Sequence, residues 1–213
     1  RHRMFKLECV RDRVWHLSFD TNAELAMTFL RYQETYESPK EAFRTNAFTH
    51  EEFKRWYEKE YGSFSYVDDW NGFNIPTHII ADVRDRGIDD VDDRDRLMAS
   101  VLTITGPDAY LVGSTGDATT VRHELLHALY FVEPEYAKAC EELNRTSTPY
   151  HRSMMELSLK RMGYAPHVYL DEIQATLANG ELHHYKDVDD KMELDSLAEY
   201  FSDLALKWGP WLP

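Results

Sequence analysis

The segment from His123 to His127 reads His-Glu-Leu-Leu-His, with two histidines four residues apart and a glutamate after the first. On an α-helix, residues i and i+4 lie one turn apart on the same face, so both imidazoles can bind one metal ion. Glu124 lies about 100° further round the helix, where it does not easily reach that ion. It is placed instead to accept a proton from a metal-bound water, the general-base role in hydrolysis. The pattern predicts a catalytic zinc site with His123 and His127 as ligands and Glu124 as base.

The residues around the motif favour a helix. Residues 116–120 are rich in N-cap residue types, and residues 108–114 are typical of a short strand followed by a tight turn. An apolar stripe at helical spacing comprises Val121, Leu125, Ala128 and Leu129. We therefore expect a strand, a turn and the motif helix in succession. The alternative interpretation is an amphipathic helix with two surface histidines.

A catalytic zinc site normally uses three protein ligands and a water molecule, so a third ligand is needed. Glu133 is excluded because it points away from the histidine face of a continuing helix, and Pro134 marks a new helix start. The best candidate is Glu172, at the edge of an apolar stripe on a helix predicted to begin near Pro166 and end at Gly180. A buried carboxylate there is costly without a partner, which zinc would provide.

Other interpretations of the third ligand stay open. Asp171, His151 and His167 are alternative candidates for this position. Glu172 also has a simpler interpretation as a solvated residue of an amphipathic helix, because acidic residues are abundant in this chain.

The motif His123-Glu124-x-x-His127, followed by a later helix with Glu172-x-x-Ala175, resembles the gluzincin group of zinc metallopeptidases. The resemblance spans residues 108–180 and implies a zincin-like fold. It implies that the two histidines and Glu172 bind zinc and that Glu124 activates water. The sequence departs from better-known members in the long separation between His127 and Glu172.

The resemblance also implies an edge strand just upstream of the motif helix, at residues 110–113, where an extended substrate pairs through backbone hydrogen bonds. Many such peptidases use a Tyr or His to stabilise the tetrahedral oxyanion. The candidates near the Glu172 helix are Tyr169, His183, His184 and Tyr185. The sequence does not single out one of them.

Composition limits the possible partners. The 213 residues include 24 Lys and Arg against 38 Asp and Glu, and the formal net charge of −14 disfavours nucleic acid as a partner. No apolar run is long enough to cross a bilayer, and residues 1–9 lack the apolar core of a signal peptide. The two cysteines, Cys9 and Cys140, are too few for a disulfide framework. We expect a cytoplasmic protein with a peptide or protein substrate and no membrane partner; its oligomeric state stays open.

The predicted fold is a single zincin-like α+β domain, residues 1–213, predominantly helical, with a small sheet beside the motif helix. The N-terminal lobe extends to about residue 131, and a helical C-terminal lobe, from about residue 132 to 213, donates Glu172. The N-terminal lobe should contain a strand at 13–19 and capped helices after Thr21 and Thr49. Residues 82–95 are rich in Asp and Arg, but their spacing does not fit an EF-hand. A solvated, salt-bridged helix is expected there instead.

Three functions are compatible with these residues. The leading prediction is zinc-dependent peptide-bond hydrolysis. A non-haem iron oxygenase with two histidines and one carboxylate is the first alternative, although iron chemistry does not require Glu124. The second is a non-catalytic metal-binding or regulatory domain, whose structural zinc would be enclosed by four protein ligands.

Overall fold

The structure, a computed structural model, describes residues 5–213. Residues 1–4, part of the segment in which we expected no signal peptide, lie outside the described residues. The chain divides into two compact units, the first ending at Val121 and the second spanning Arg122–Pro213. This division falls near the start of the motif helix, whereas the predicted lobe boundary near residue 131 falls near its end.

The first unit contains a four-stranded sheet and six helices among the described residues, before the motif helix begins. In chain order they are β1 (Phe5–Arg11), β2 (Val14–Phe19), α1 (Asn22–Glu37), α2 (Glu41–Thr45), α3 (His50–Tyr61), α4 (Tyr66–Asp69), β3 (Gly72–Pro76), α5 (His78–Arg86), α6 (Asp93–Thr105) and β4 (Tyr110–Ser114). The predicted strand at 13–19 and the helices after Thr21 and Thr49 are confirmed.

The sheet has the strand order β1-β2-β4-β3. Strand β2 pairs in parallel with β4, with Val14 opposite Tyr110 and Ser18 opposite Ser114. Strand β3 pairs antiparallel with the other side of β4. The prediction of an edge strand at residues 110–113 is therefore wrong, because β4 is hydrogen-bonded on both sides. All five β4 residues are buried, as is typical of an internal strand.

The core of the first unit lies between one face of the sheet and the helices. Phe29 of α1 stacks on Phe73 of β3, with ring centroids 5.3 Å apart. Helix α3 begins with the predicted capping box between Thr49 and Glu52. The helix packs into the same core through Phe53, which is fully buried.

The Asp- and Arg-rich segment at 82–95 is not one solvated helix. Helix α5 ends at Arg86, and α6 begins only at Asp93. In between, Asp90 lies 2.8 Å from the guanidinium of Arg31, which α1 places in the core with 2% of its side chain exposed. Asp95 also pairs with Arg31, at 3.3 Å. The break itself has local causes: Gly87, with a φ of +87°, follows α5, and the Asp92 side chain caps the start of α6.

The second unit is helical. It contains most of α7 (Ala118–Val132), which carries the motif, followed by α8 (Pro134–Arg145), α9 (Pro149–Arg161), α10 (Tyr169–Ala178) and α11 (Lys191–Trp208). Short 3₁₀ helices lie at Pro166–Val168 and Leu182–His184. The predicted α+β class with predominant helix is confirmed. Within residues 5–213, no helix combines the length and apolarity needed to span a bilayer.

Helix α10 lies in the core of the second unit. It packs against α8, α9 and α11, and every residue from Glu172 to Ala178 is buried. Its apolar residues Ile173 and Leu177 belong to the same core cluster as Leu126 and Leu129 of α7. Three polar residues of α10, Glu172, Gln174 and Thr176, therefore have to find partners inside the protein.

Candidate metal centre

Two helices position the candidate site. The start of α7 is stabilised by Asp117, whose carboxylate accepts a hydrogen bond from the Thr120 backbone at 3.0 Å. One turn of helix separates His123 from His127 and places them on one face of α7, with ring centroids 5.0 Å apart. Helix α10 supplies Glu172, which is 3% exposed. All of these side chains except Asp117 and Thr120 belong to the second unit.

The three predicted ligands come together in the structure. His127 Nε2 lies 3.1 Å from Glu172 Oε1, and His123 Nε2 lies 3.6 Å from Glu172 Oε2. The two Nε2 atoms are 3.2 Å apart. Tetrahedral ligands at the usual zinc distances are separated by about 3.4 Å, so these spacings fit one ion. The group can hold a metal ion, and its donor atoms all lie within 4.8 Å of one another.

The group contains a buried carboxylate oxygen that has no hydrogen bond. Glu172 Oε2 is buried without a hydrogen bond, although its carboxylate lies among imidazoles. A buried carboxylate oxygen in this state carries a desolvation cost of about 1–3 kcal/mol or more. A cation bound between Glu172 and the two histidines would satisfy this oxygen, so the residues present fit a metal ion.

A second layer of carboxylates contacts the outer nitrogens of the histidines. His123 Nδ1 lies 2.5 Å from Glu181 Oε2, and His127 Nδ1 lies 2.8 Å from Asp171 Oδ1. Metal-binding histidines commonly donate their second N–H to a carboxylate, which leaves the other nitrogen free for the metal. Asp171, considered above as an alternative ligand, therefore contacts the ring nitrogen that faces away from the candidate metal.

Asp171 is itself held by a buried polar network. Gln174, fully buried on α10, donates to Asp171 Oδ1 at 3.0 Å and to the backbone carbonyl of Leu126 at 3.1 Å. Tyr136 of α8 donates to Gln174 Oε1 at 2.6 Å. The network links α7, α8 and α10, so packing of these helices also orients His127.

Glu181 reaches His123 from the turn that follows α10. Gly180 adopts a φ of +73°, in the left-handed region that glycine tolerates, and directs the chain back from the end of the helix. Asn179 donates to Glu181 Oε2 at 3.0 Å. On the other side, His184 Nε2 lies 3.6 Å from Glu181 Oε1. Glu181 thus connects His123 with a second histidine.

These contacts set the protonation states of the group. Burial alone would lower the pKa of His123, but its interactions with the carboxylates of Glu172 and Glu181 outweigh it and raise that pKa to about 10. Burial likewise opposes the charged form of His127, yet Asp171 and Glu172 raise its pKa well above the ordinary value. The pKa of Glu172 is lowered despite burial, because two imidazoles face it. A metal ion that binds must therefore displace protons from the histidines.

Glu124, the predicted base, follows His123 on α7 and is 5% exposed. Its negative charge contributes to the raised pKa of His123. The described group supplies three donors for one ion, and a tetrahedral zinc would have one further position. Such a centre is chemically suited to bind a water molecule beside Glu124.

The other residues considered from the sequence lie elsewhere. His151 is buried on α9, but among the described residues the three-donor group does not include it. His167 lies exposed in the 3₁₀ turn before α10. Of the oxyanion candidates, Tyr185 is fully buried with its hydroxyl 2.5 Å from Thr176 Oγ1. The pKa of Tyr169 is raised, first by burial and second by the negative charge of Glu156.

Sequence reasoning missed the supporting residues Glu181 and Gln174. Gln174 lies three residues after Asp171, which places the two on one face of the helix, but its contact with Leu126 of α7 depends on how the helices pack. Glu181 directly follows Gly180, the predicted end of the helix. Its place beside this helix end was the one signal in the sequence that it could lie near Glu172. A residue after a helix end has no fixed direction from sequence, so its contact with His123 depends on the folded turn.

No protein-family model, curated protein or solved structure matches this chain. The gluzincin resemblance therefore stays a prediction based on the motif residues. The chemistry open to this protein is defined by the geometry of His123, His127 and Glu172 and by the side chains that surround them.

Proposed function

We propose that this protein is a zinc-dependent peptidase whose ligands are His123, His127 and Glu172. The observation that supports this most directly is the convergence of two Nε2 atoms and a buried carboxylate with an unsatisfied oxygen. Glu124, next to His123 on the same helix, adds a base where hydrolysis needs one. The substrate would be a peptide or a protein, and the predicted cytoplasmic location stays a prediction.

Each residue has a defined task in this proposal. Zinc, when bound, would polarise the scissile carbonyl and lower the pKa of its water to about 7. Glu124 would accept the proton of the attacking water and deliver it to the leaving amine nitrogen. Glu181 and Asp171 would keep the two Nδ1 atoms protonated, so that each Nε2 faces inward.

The two alternatives are less well supported. A facial iron centre also uses two histidines and a carboxylate, but it gives no role to the buried Glu124. A structural zinc site would require four protein ligands, whereas the group found among residues 5–213 has three. Hydrolysis therefore accounts for more of the residues at the site than either alternative does.

The test compares Glu124→Gln with the unchanged protein. We expect the variant to bind zinc with unchanged stoichiometry and to lose about 10²- to 10⁴-fold in peptide hydrolysis, since the amide cannot accept the proton. Activity would be measured on a mixed peptide library by mass spectrometry. Glu135→Gln, an exposed change on α8, is the matched control and should retain activity. Full activity of zinc-loaded Glu124→Gln would contradict the mechanism.

Metal identity needs a separate measurement. Elemental analysis of protein purified without added metal should find one zinc per chain. Stoichiometric iron without zinc would instead favour the oxygenase. A crystal structure of the zinc-loaded protein with a fourth protein ligand in place of water would favour a structural role.

A further inference from the structure

Arg122, the residue before His123, joins α7 to the end of α10. Its Nη1 donates to the backbone carbonyl of Ala178 at 2.8 Å and to Asn179 Oδ1 at 3.0 Å, and its Nε donates to the backbone oxygen of Pro213 at 3.2 Å. Ala178 is the last residue of α10, where carbonyls have no partner within the helix and a cation is favoured by the helix dipole. Three acceptors therefore fix the Arg122 side chain.

The contact with Arg122 decides which way the Asn179 amide points. An arginine side chain only donates hydrogen bonds, so Asn179 has to turn its oxygen towards Arg122. The amide nitrogen is then the group available to Glu181, and it donates to Glu181 Oε2 at 3.0 Å. The same Oε2 atom lies 2.5 Å from His123 Nδ1. Two groups therefore hold this carboxylate oxygen, although Glu181 itself lies beyond the end of α10.

These contacts form a closed path that begins and ends on α7. The path runs from Arg122 through Asn179 and Glu181, and it returns to α7 at His123. Because Glu181 contacts Nδ1 of the ring, Nε2 is the nitrogen that faces Glu172, at 3.6 Å. The direction of the His123 ring thus depends on where Glu181 is held.

We propose that Arg122 and Asn179 are positioning residues for His123. Arg122 orients the Asn179 amide, and that amide holds Glu181 against the imidazole. This inference rests on the metal centre of the proposed function and deepens it, since both residues act on a ligand through Glu181. Removing the hydrogen-bond partner of a metal-binding histidine typically weakens metal affinity by about 10- to 100-fold. Arg122 and Asn179 lie one contact further out, so the lower end of this range is expected.

A double-mutant cycle on zinc affinity tests the proposal, with the affinity of the full chain measured by competition with a chromophoric chelator. Asn179→Ala should weaken zinc binding about tenfold, because Glu181 loses one of the two groups that hold it. Arg122→Ala should weaken binding by a similar factor in the unchanged protein, but by less than about threefold in the Asn179→Ala background. Independent losses that multiply to about a hundredfold in the double variant would overturn the proposal.

Arg152→Ala is the matched control, because it removes the same kind of contact from another helix end of the second unit. Arg152 of α9 is half-buried, as Arg122 is, and it donates to the backbone carbonyls of Arg145 and Ser147 at the end of α8, at 3.0 and 2.6 Å. This variant should keep its zinc affinity. A loss of affinity as large as that of Arg122→Ala would show that Arg122 acts only through helix packing, and would overturn the proposal.

The His123 ring allows a second measurement that needs no metal. In metal-free protein, the Nδ1 proton held by Glu181 should give a downfield ¹H NMR signal, assigned by its absence from His123→Gln. Asn179→Ala and Arg122→Ala should broaden this signal through faster exchange with water, whereas Arg152→Ala should keep it sharp. An unchanged signal in the first two variants would overturn the proposal. If both measurements give the expected results but zinc-loaded protein hydrolyses no peptide, the positioning role stands and the proposed peptidase function fails.

Discussion

At the scale of single residues, the candidate centre depends on which nitrogen each histidine directs inward. Both Nε2 atoms face Glu172, and both Nδ1 atoms face a second carboxylate. The same carboxylates that orient the rings also favour their protonated forms. Metal binding and proton binding are therefore in competition at His123 and His127.

Zinc binding should release protons. The pKa values of His123 and His127 are both raised, and their Nε2 atoms lie 3.2 Å apart, close enough for one to donate to the other. We expect zinc to displace at least one proton, and its affinity to increase as the pH rises from about 6 to 9. A pH indicator in weakly buffered solution measures the first, and competition with a chromophoric chelator measures the second. An affinity independent of pH in this range would refute the assignment.

A second residue-scale prediction concerns Glu34 on α1. Burial raises the pKa of Glu34 from 4.5 to about 8. Between these pH values the folded state binds a proton that the unfolded state has lost, so Glu34 reduces stability progressively as the pH rises. Glu34→Gln should therefore stabilise the protein at pH 8.5 and have little effect at pH 4.5.

Urea unfolding at both pH values measures this effect. Glu58→Gln, an exposed change on α3, should show no such pH-dependent gain. An equal gain from Glu34→Gln at both pH values would show that its cause is not ionisation.

At the scale of elements, the first unit depends on the close approach of α1 to the sheet. A Cβ atom at Gly113 of β4 would overlap the ring of Phe29. That ring is itself stacked on Phe73, so it has little freedom to move. The absence of a side chain at Gly113 is what allows this packing.

Gly113→Ala should therefore destabilise the protein by about 1–3 kcal/mol through overpacking. Chemical denaturation would measure the change. Adding Phe29→Leu should recover part of the loss, because a smaller side chain makes room for the methyl group, and the two changes would then be non-additive. Strictly additive losses would show that the contact with Phe29 is not the cause.

At the scale of the whole molecule, all candidate ligands and supporting side chains belong to the second unit. Ligand binding to the folded state stabilises it by mass action. Zinc at 100 times its dissociation constant should increase the unfolding free energy by about 2.7 kcal/mol, and a chelator should reverse the effect.

Thermal unfolding with and without zinc tests this prediction. His127→Ala should lose the zinc-dependent shift in Tm, whereas His78→Ala, an exposed histidine of the first unit, should keep it. An undiminished shift in His127→Ala would place the bound zinc elsewhere.

Much of the secondary structure could be predicted from local signals. Pro134 and Pro149 mark the starts of α8 and α9, and the apolar repeat from Leu194 to Trp208 lies within α11. Such signals act within one or two helical turns, so they are readable from the chain alone. The prediction for 82–95 was wrong although Gly87 and Asp92 are local signals for the end of α5 and the start of α6. Only the pairing of this segment with Arg31, more than fifty positions earlier, required the folded structure.

The sequence by itself determined the pair of histidines and the adjacent glutamate, because helical geometry relates residues four apart wherever the helix lies. It also singled out Glu172, since a carboxylate on an apolar helix needs a partner. Only the tertiary structure decided that Glu172 lies at the histidines, that Glu181 and Asp171 support them, and that β4 is internal to its sheet. These contacts join residues far apart in the chain, and they depend on how helices and strands pack rather than on any local preference.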